Sequence, residues 1–195
     1  MSLPGGELRL LQPREAAELP DDGDVEWAPL VPYWSVLWRS GIALARVLSR
    51  RRLRGLRIVE LGCGMGVPSL IASRSGAAVL ATDASAEAVD LLARNACRNG
   101  LDVETARVDW RRPEALLARV PFDLALAADV LYERTSVAPL LALLPRLAPQ
   151  AMVADPGRPA ADAFLTEAKR RWRVDTRAAG PVGIHTIGVN TALLG

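Results

Sequence analysis

Three glycines at alternate positions, Gly62, Gly64 and Gly66, follow the β-run Arg57-Ile58-Val59-Glu60-Leu61 and lead into a helix start at Val67-Pro68-Ser69. Glycine enters left-handed backbone without penalty and puts no Cβ between main chain and ligand. The next acid at the end of an apolar run is Asp83, which closes Val79-Leu80-Ala81-Thr82. A glycine turn after one strand and an acid at the tip of the next is nucleoside-binding geometry. A dinucleotide site wants Gly-x-Gly-x-x-Gly, which would put the third glycine at 67, where the chain has valine. The plain alternative is a tight turn between strand and helix with no ligand.

Further candidates lie after other apolar runs. Ionised, Asp83 offers acceptors only, which suits the two hydroxyls of a ribose; it can equally cap a helix beside Ser85. In Asp109-Trp110 an acid can read an adenine amino group and an indole can cover the ring, or the Trp can simply pack at a sheet edge. In Ala128-Asp129-Val130-Leu131-Tyr132 the acid can hold a cation and the ring can wall it, or they can be a strand-end turn acid and a packing residue at a helix N-terminus. Asp155-Pro156-Gly157-Arg158 can line a substrate mouth or form an ordinary turn. Cys63, inside the glycine run, reads as loop filler because no basic partner is visible. His185 is the only histidine, so no metal site is expected.

These residues need elements to hold them. Strands are expected at Arg57–Leu61, Ala78–Thr82, Val103–Val108, Phe122–Ala127, Ala151–Ala154, Arg173–Arg177 and Ile184–Leu194. Helices are expected between most of them, over 66–75, from the Ser85 cap to Asn99, briefly after Pro113, and over 136–147 and 160–171. A further helix is expected from Trp34 to Ser49, with Trp34, Trp38, Ile42, Ala45 and Leu48 on one face. Repeated βα units imply a parallel sheet with helices on both faces, a Rossmann-like three-layer α/β sandwich. Only Gly180-Pro181-Val182-Gly183 joins the last two strands, so they must be antiparallel. Residues 1–33, rich in proline, glycine and acids, read as an N-terminal arm with one short strand near Leu8–Leu11; residues 34–195 form the single domain.

Gly-x-Gly-x-Gly preceded by Glu60 resembles motif I of the class I S-adenosylmethionine (SAM) methyltransferases. Asp129-x-x-Tyr132, with the Trp-rich segment ahead of motif I, resembles the family 16 protein methyltransferases, which mostly methylate lysine. The post-strand stretch Asp155-Pro156-Gly157-Arg158 is similar to members near the electron-transfer-flavoprotein lysine methyltransferase. The resemblance implies seven strands in the order 3-2-1-4-5-7-6 with strand seven reversed. It implies SAM as cofactor, with Glu60 at its methionine end and Asp83 at its ribose. Gly62, Cys63, Gly64 and Gly66 supply the glycine loop, Asp109 and Trp110 the adenine contacts, Ala128 the strand-four contact, and Trp38 closes over the cofactor. Asp129 and Tyr132 are the expected catalytic pair, with no general base assigned to either.

Composition bounds the rest. The chain has 195 residues, half of them hydrophobic, a net charge of +2 and Lys169 as its only lysine. That charge is too small to predict nucleic-acid binding. Arg50-Arg51-Arg52 reads as a solvated helix end. Two cysteines make no disulfide framework, and neither a signal peptide nor an 18-residue apolar run is seen. A soluble cytoplasmic monomer is expected, with a protein lysine as target. A small amine is the alternative target, and a non-catalytic binding module the alternative function.

Overall fold

A computed structural model describes residues 1–3, 6–13 and 32–188. Two short strands, β1 (Ser2–Leu3) and β2 (Gly6–Glu7), pair as a small antiparallel ribbon. After helix α1 (Arg39–Leu48) the chain alternates regularly: β3 (Arg57–Leu61), α2 (Val67–Arg74), β4 (Ala78–Asp83), α3 (Ala86–Arg98), β5 (Glu104–Arg107) and the single turn α4 (Glu114–Leu117). Then come β6 (Leu124–Ala128), α5 (Val137–Leu147), β7 (Gln150–Asp155), α6 (Pro159–Arg171), β8 (Arg173–Ala179) and β9 (Val182–Gly188).

The seven strands β3 to β9 form one sheet in the order β5-β4-β3-β6-β7-β9-β8. Renumbered from β3, this is the expected 3-2-1-4-5-7-6. All neighbours are parallel except that β9 runs against both β7 and β8. The central strands are apolar on both faces, as a sheet covered twice must be. Ile58, Leu124, Leu126, Met152 and Ala154 pack on one side with Leu44, Leu48, Leu70 and Ile71 of α1 and α2 and Leu92 of α3. Val59, Leu61, Ala125, Ala127 and Val153 pack on the other with Leu116 of α4, Leu140 and Leu144 of α5 and Phe164 of α6. The parallel register brings the carboxyl ends of β3, β4, β5, β6 and β7 to one edge.

Three expectations need correction or restriction. The helix expected from Trp34 begins only at Arg39. Tyr33–Ser35 is a separate 3-10 turn and Trp38 is extended, so Trp34 and Trp38 precede the helix. No side chain of Trp38 caps it, and its start is fixed from elsewhere in the chain. The strand expected near Leu8–Leu11 lies earlier, in β1 and β2. Residues 8–11 pair instead with asparagine side chains of α3. The N–H groups of Arg9 and Leu11 donate to Asn99 Oδ1 and Asn95 Oδ1 at 2.9 and 2.6 Å. Asn99 Nδ2 and Asn95 Nδ2 donate back to the carbonyls of Arg9 and Leu11 at 2.8 and 3.2 Å. Two asparagines one helical turn apart thus meet two residues two apart in an extended chain, replacing a neighbouring strand. Most of the expected arm, residues 14–31, and the last part of the final strand, 189–195, lie outside the described residues. Among the described residues no helix is long and apolar enough to cross a membrane.

Replacing Asn95 and Asn99 together by alanine should free the Arg9 and Leu11 amides. Hydrogen exchange followed by mass spectrometry should show faster exchange in residues 8–12 and unchanged exchange in β3 and β6. Unchanged protection at 8–12 would mean that Leu8 burial and the bonds of Leu8 to Met1 and of Gln12 to Ser35 hold the segment without the asparagines.

Candidate active site

The carboxyl edge of the sheet opens into a cavity of about 910 Å³. Ligand pockets run from roughly 300 to 1,000 Å³, so this one is large enough for a nucleoside with an attached chain. The residues expected to bind cofactor or act on substrate line it: Trp38, Glu60, Gly62, Cys63, Gly64, Gly66, Asp83, Asp109, Trp110, Ala128, Asp129 and Tyr132; of the turn after β7 only Arg158 does, and Asp155 does not.

The glycine turn is left-handed at all three glycines, with φ of 64°, 47° and 66° at Gly62, Gly64 and Gly66. The space a Cβ would occupy is, however, filled by the protein. At Gly62 it would lie 2.8 Å from Val130 Cγ1, at Gly64 3.0 Å from the Trp34 carbonyl, and at Gly66 2.3 Å from Leu92 of α3. The glycines are therefore required by backbone conformation and by close packing of three neighbouring segments. Gly66 in particular serves the seating of α3. Trp110, half-buried, reaches the turn from the end of β5 and lies against Gly62.

Two carboxyl groups flank the turn. Asp83, at the end of β4, accepts from the Gly64 N–H through Oδ2 and from the Ser85 N–H through Oδ1, each at 2.9 Å. The carboxylate is thereby aimed along the cavity wall, and each oxygen keeps a lone pair for a ligand hydroxyl. Ser85 itself caps α3, accepting from the Ala88 N–H, so the capping role belongs to Ser85 and not to Asp83.

Glu60 lies deeper, 1% exposed. Its Oε2 accepts from the Ser69 N–H at 3.0 Å and from the Ser69 hydroxyl. Ser69 stands in the first turn of α2, whose N-cap, Gly66, has no side chain to offer. Burial raises the Glu60 carboxyl from its ordinary 4.5 to about 8; the Ser69 contacts oppose the rise and the Asp83 charge adds to it. The Cys63 thiol is also buried. Burial first, then Glu60 and Asp83, push it well above its ordinary value, and its N–H is taken by the Thr82 carbonyl at 2.9 Å. A thiol so held is inert filler. Asp109 is drawn down to about 2 by its bond with Arg111 and stays ionised at the cavity edge.

A further part of the cavity wall is built on Asp129, 8% exposed and the only non-glycine with positive φ (59°) among the described residues. Its Oδ2 accepts from the Ser40 N–H at 3.1 Å, in the first turn of α1, and its Oδ1 accepts from Arg158 Nη1 at 2.8 Å. Asp129 thus caps α1 across 89 positions of sequence. Burial raises its carboxyl above the ordinary value, with the Arg158 charge as the main opposing cause. Tyr132 stands at the rim, 54% exposed. Its ring stacks on Tyr33 at 5.6 Å, and Tyr33 stacks on Trp38 at 6.4 Å. Tyr33, Ser40 and Ser69 were not singled out from the sequence. Tyr33 carried a usable signal, as part of Tyr33-Trp34; Ser40 acts through a backbone N–H that no residue type announces, and Ser69 through its N–H and its hydroxyl. His185 sits away from this edge, with Nδ1 2.9 Å from the Thr176 hydroxyl.

The Glu60 shift has a signed consequence. A carboxyl held protonated by the fold contributes its stability in full below pH 4.5 and loses it as pH rises to about 8. The melting temperature of the ligand-free protein should fall across that window, and Glu60→Gln should flatten the fall. An identical pH profile in the variant would show that Glu60 is already ionised when folded.

The electron transfer flavoprotein beta subunit lysine methyltransferase of Xenopus laevis is 33% identical over 136 residues, 65% of this chain and 50% of that protein. The histone-arginine methyltransferase METTL23 of Mus musculus is 30% identical over 118 residues, 57% of this chain and 47% of that protein. The chain thus spans about half the length of these relatives. Among solved structures, a ribosomal protein L11 methylase from Lactobacillus delbrueckii subsp. bulgaricus superposes with a TM-score of 0.58 at 25% identity, over 75% of this chain and 77% of that one. The model of the lysine methyltransferase family matches residues 34–170, from the aromatic segment through α6, and the chain belongs to that family.

Proposed function

We propose that the protein is a SAM-dependent N-methyltransferase whose target is a lysine side chain of another protein. One observation carries this reading. Glu60, the glycine turn, Asp83 and Trp110 line a single cavity, and Asp129 and Tyr132 line the same cavity. The first set offers a buried acid for an amino-acid end, acceptors for a ribose and a ring for a base. The second offers a carboxylate and exposed ring faces for a cation.

The donor and acceptor set fits SAM. Asp83 would hold the ribose, Glu60 and the turn the methionine end, and Trp110 and Asp109 the adenine. When bound, SAM supplies an electrophilic methyl group on a sulfonium. The chain's own contribution is placement, which is worth much in a displacement that needs alignment more than acid–base help. A lysine amine has a reference pKa of about 10.4 and arrives protonated. Asp129 and the Tyr132–Tyr33–Trp38 row would receive it in that form. Burial and the Glu133 charge raise the Tyr132 hydroxyl above its ordinary value, which disfavours its anion. The target's proton would leave through the open rim to water. Arginine is the second reading for the target, favoured by the histone-arginine relative.

Asp83→Ala should weaken binding of S-adenosylhomocysteine by roughly ten- to a hundredfold, the worth of a hydrogen bond to a charged group at about 1.5–3 kcal/mol. Isothermal titration calorimetry checks it, and unchanged affinity removes Asp83 from the ribose. Incubating the protein with radiolabelled SAM and a cell lysate should label a discrete protein band, with the label recovered as methyllysine after hydrolysis. Recovery as methylarginine would move the target to arginine, and label confined to small molecules would sink a protein target.

A further inference from the structure

Arg158 brings a cation into the cavity. It follows β7 in the turn Asp155-Pro156-Gly157-Arg158 and reaches back across the carboxyl edge. Its Nη1 lies 2.8 Å from Asp129 Oδ1 and 3.1 Å from Asp155 Oδ2, and its guanidinium carbon lies 5.8 Å from the centre of the Trp38 ring. A carboxylate beside an indole face is the arrangement that receives an alkyl cation. In this chain a cation of its own already fills it.

The two acids do not need that cation to stay where they are. Asp155 Oδ1 accepts from the N–H groups of Gly157 and Arg158 at 2.8 Å each. Asp129 is held through Oδ2 by the Ser40 N–H and through its own main chain, whose N–H donates to the Ala154 carbonyl at 2.9 Å. Trp38 is fixed by its indole N–H, which donates to the Tyr33 carbonyl at 2.9 Å. The movable member is the Arg158 side chain, 26% exposed against 5% and 1% for its two partners. Withdrawing it would leave Asp129 Oδ1 buried beside an indole with its charge uncompensated, which is costly until another cation arrives.

We propose that Arg158 is a specificity-determining residue that keeps the cation position of the site occupied, and that a cationic target side chain enters by displacing its guanidinium from Asp129. A neutral group of the same shape cannot replace the charge and does not displace it. The inference takes from the methyl-transfer reading only the identity of the incoming group, an ammonium on an alkyl chain. It adds a selection step: targets compete with a tethered cation before they reach the methyl group.

The test uses n-butylammonium chloride titrated into the full ¹⁵N-labelled chain at constant ionic strength, with the Ser40 amide, bonded to Asp129, as reporter. Arg158→Ala should show a saturable Ser40 shift at a concentration roughly ten- to a hundredfold below that needed in the parent protein, the range expected for one charge-assisted pair. n-Butanol should give no such shift, and adding Asp129→Asn should abolish it. An equal response in parent and variant, none in the variant, or the same response to n-butanol overturns the proposal. Should Arg158→Ala fail to fold, Arg158→Gln, which keeps most of the volume and an N–H donor, is titrated by the same criteria. No cofactor is present, so the two readings fail separately. A chain that shows the ammonium effect but binds no S-adenosylhomocysteine loses methyl transfer and keeps the cation position.

Discussion

Two helices begin at the site without caps of their own, and the architecture of the cavity follows from how their free N–H groups are satisfied. The first turn of a helix leaves N–H groups that need acceptors. At α2 the flanking residue is Gly66 and at α1 it is Trp38, and neither supplies a side-chain oxygen. The acceptors come from strand ends. Glu60 of β3 receives Ser69, and Asp129, just after β6, receives Ser40. Each carboxyl is thereby buried and oriented, Glu60 deep in the cavity and Asp129 beside Arg158. Without these two bonds the helices would have no fixed starting points, and the acids no fixed directions.

Burial and ligation pull the two acids in different ways. Glu60 has hydroxyl and amide donors but no cation, and burial dominates, holding its proton near neutral pH. Asp129 has Arg158, which opposes the same effect of burial. The left-handed backbone at Asp129 is a local cost of about 1–3 kcal/mol for a residue other than glycine. Its N–H bond to Ala154 and its two side-chain bonds hold it there. Strain, burial and an internal ion pair thus meet at Asp129, whereas the glycine turn is flanked by a main-chain-bound carboxylate, Asp83, and an indole, Trp110.

The glycine turn shows how a residue type can be required for a reason that its spacing does not carry. The spacing pointed to a bare turn open to a ligand. In the folded chain the missing Cβ atoms make room for Val130, the Trp34 carbonyl and Leu92. The turn is a crossing point of three segments, and ligand access is a property of the face left over. The segment around Trp34 is brought there by the aromatic run ahead of α1, which also supplies Tyr33 and Trp38 to the rim.

Local pattern alone determined the alternation of strands and helices from Arg57 to Arg171, the reversed final strand, and the acids and rings at strand ends, because each is written in residues a few positions apart. The strand order came with the family likeness, not from the pattern. Tertiary structure decided what depends on partners far away in sequence. The start of α1 is set by Asp129, the extended path of residues 8–11 by Asn95 and Asn99, and the buried charge of the site by Arg158 reaching back from the loop after β7. Hydrogen bonds and ion pairs between distant segments leave no periodicity to read. They exist only once the sheet has brought its carboxyl ends to one edge.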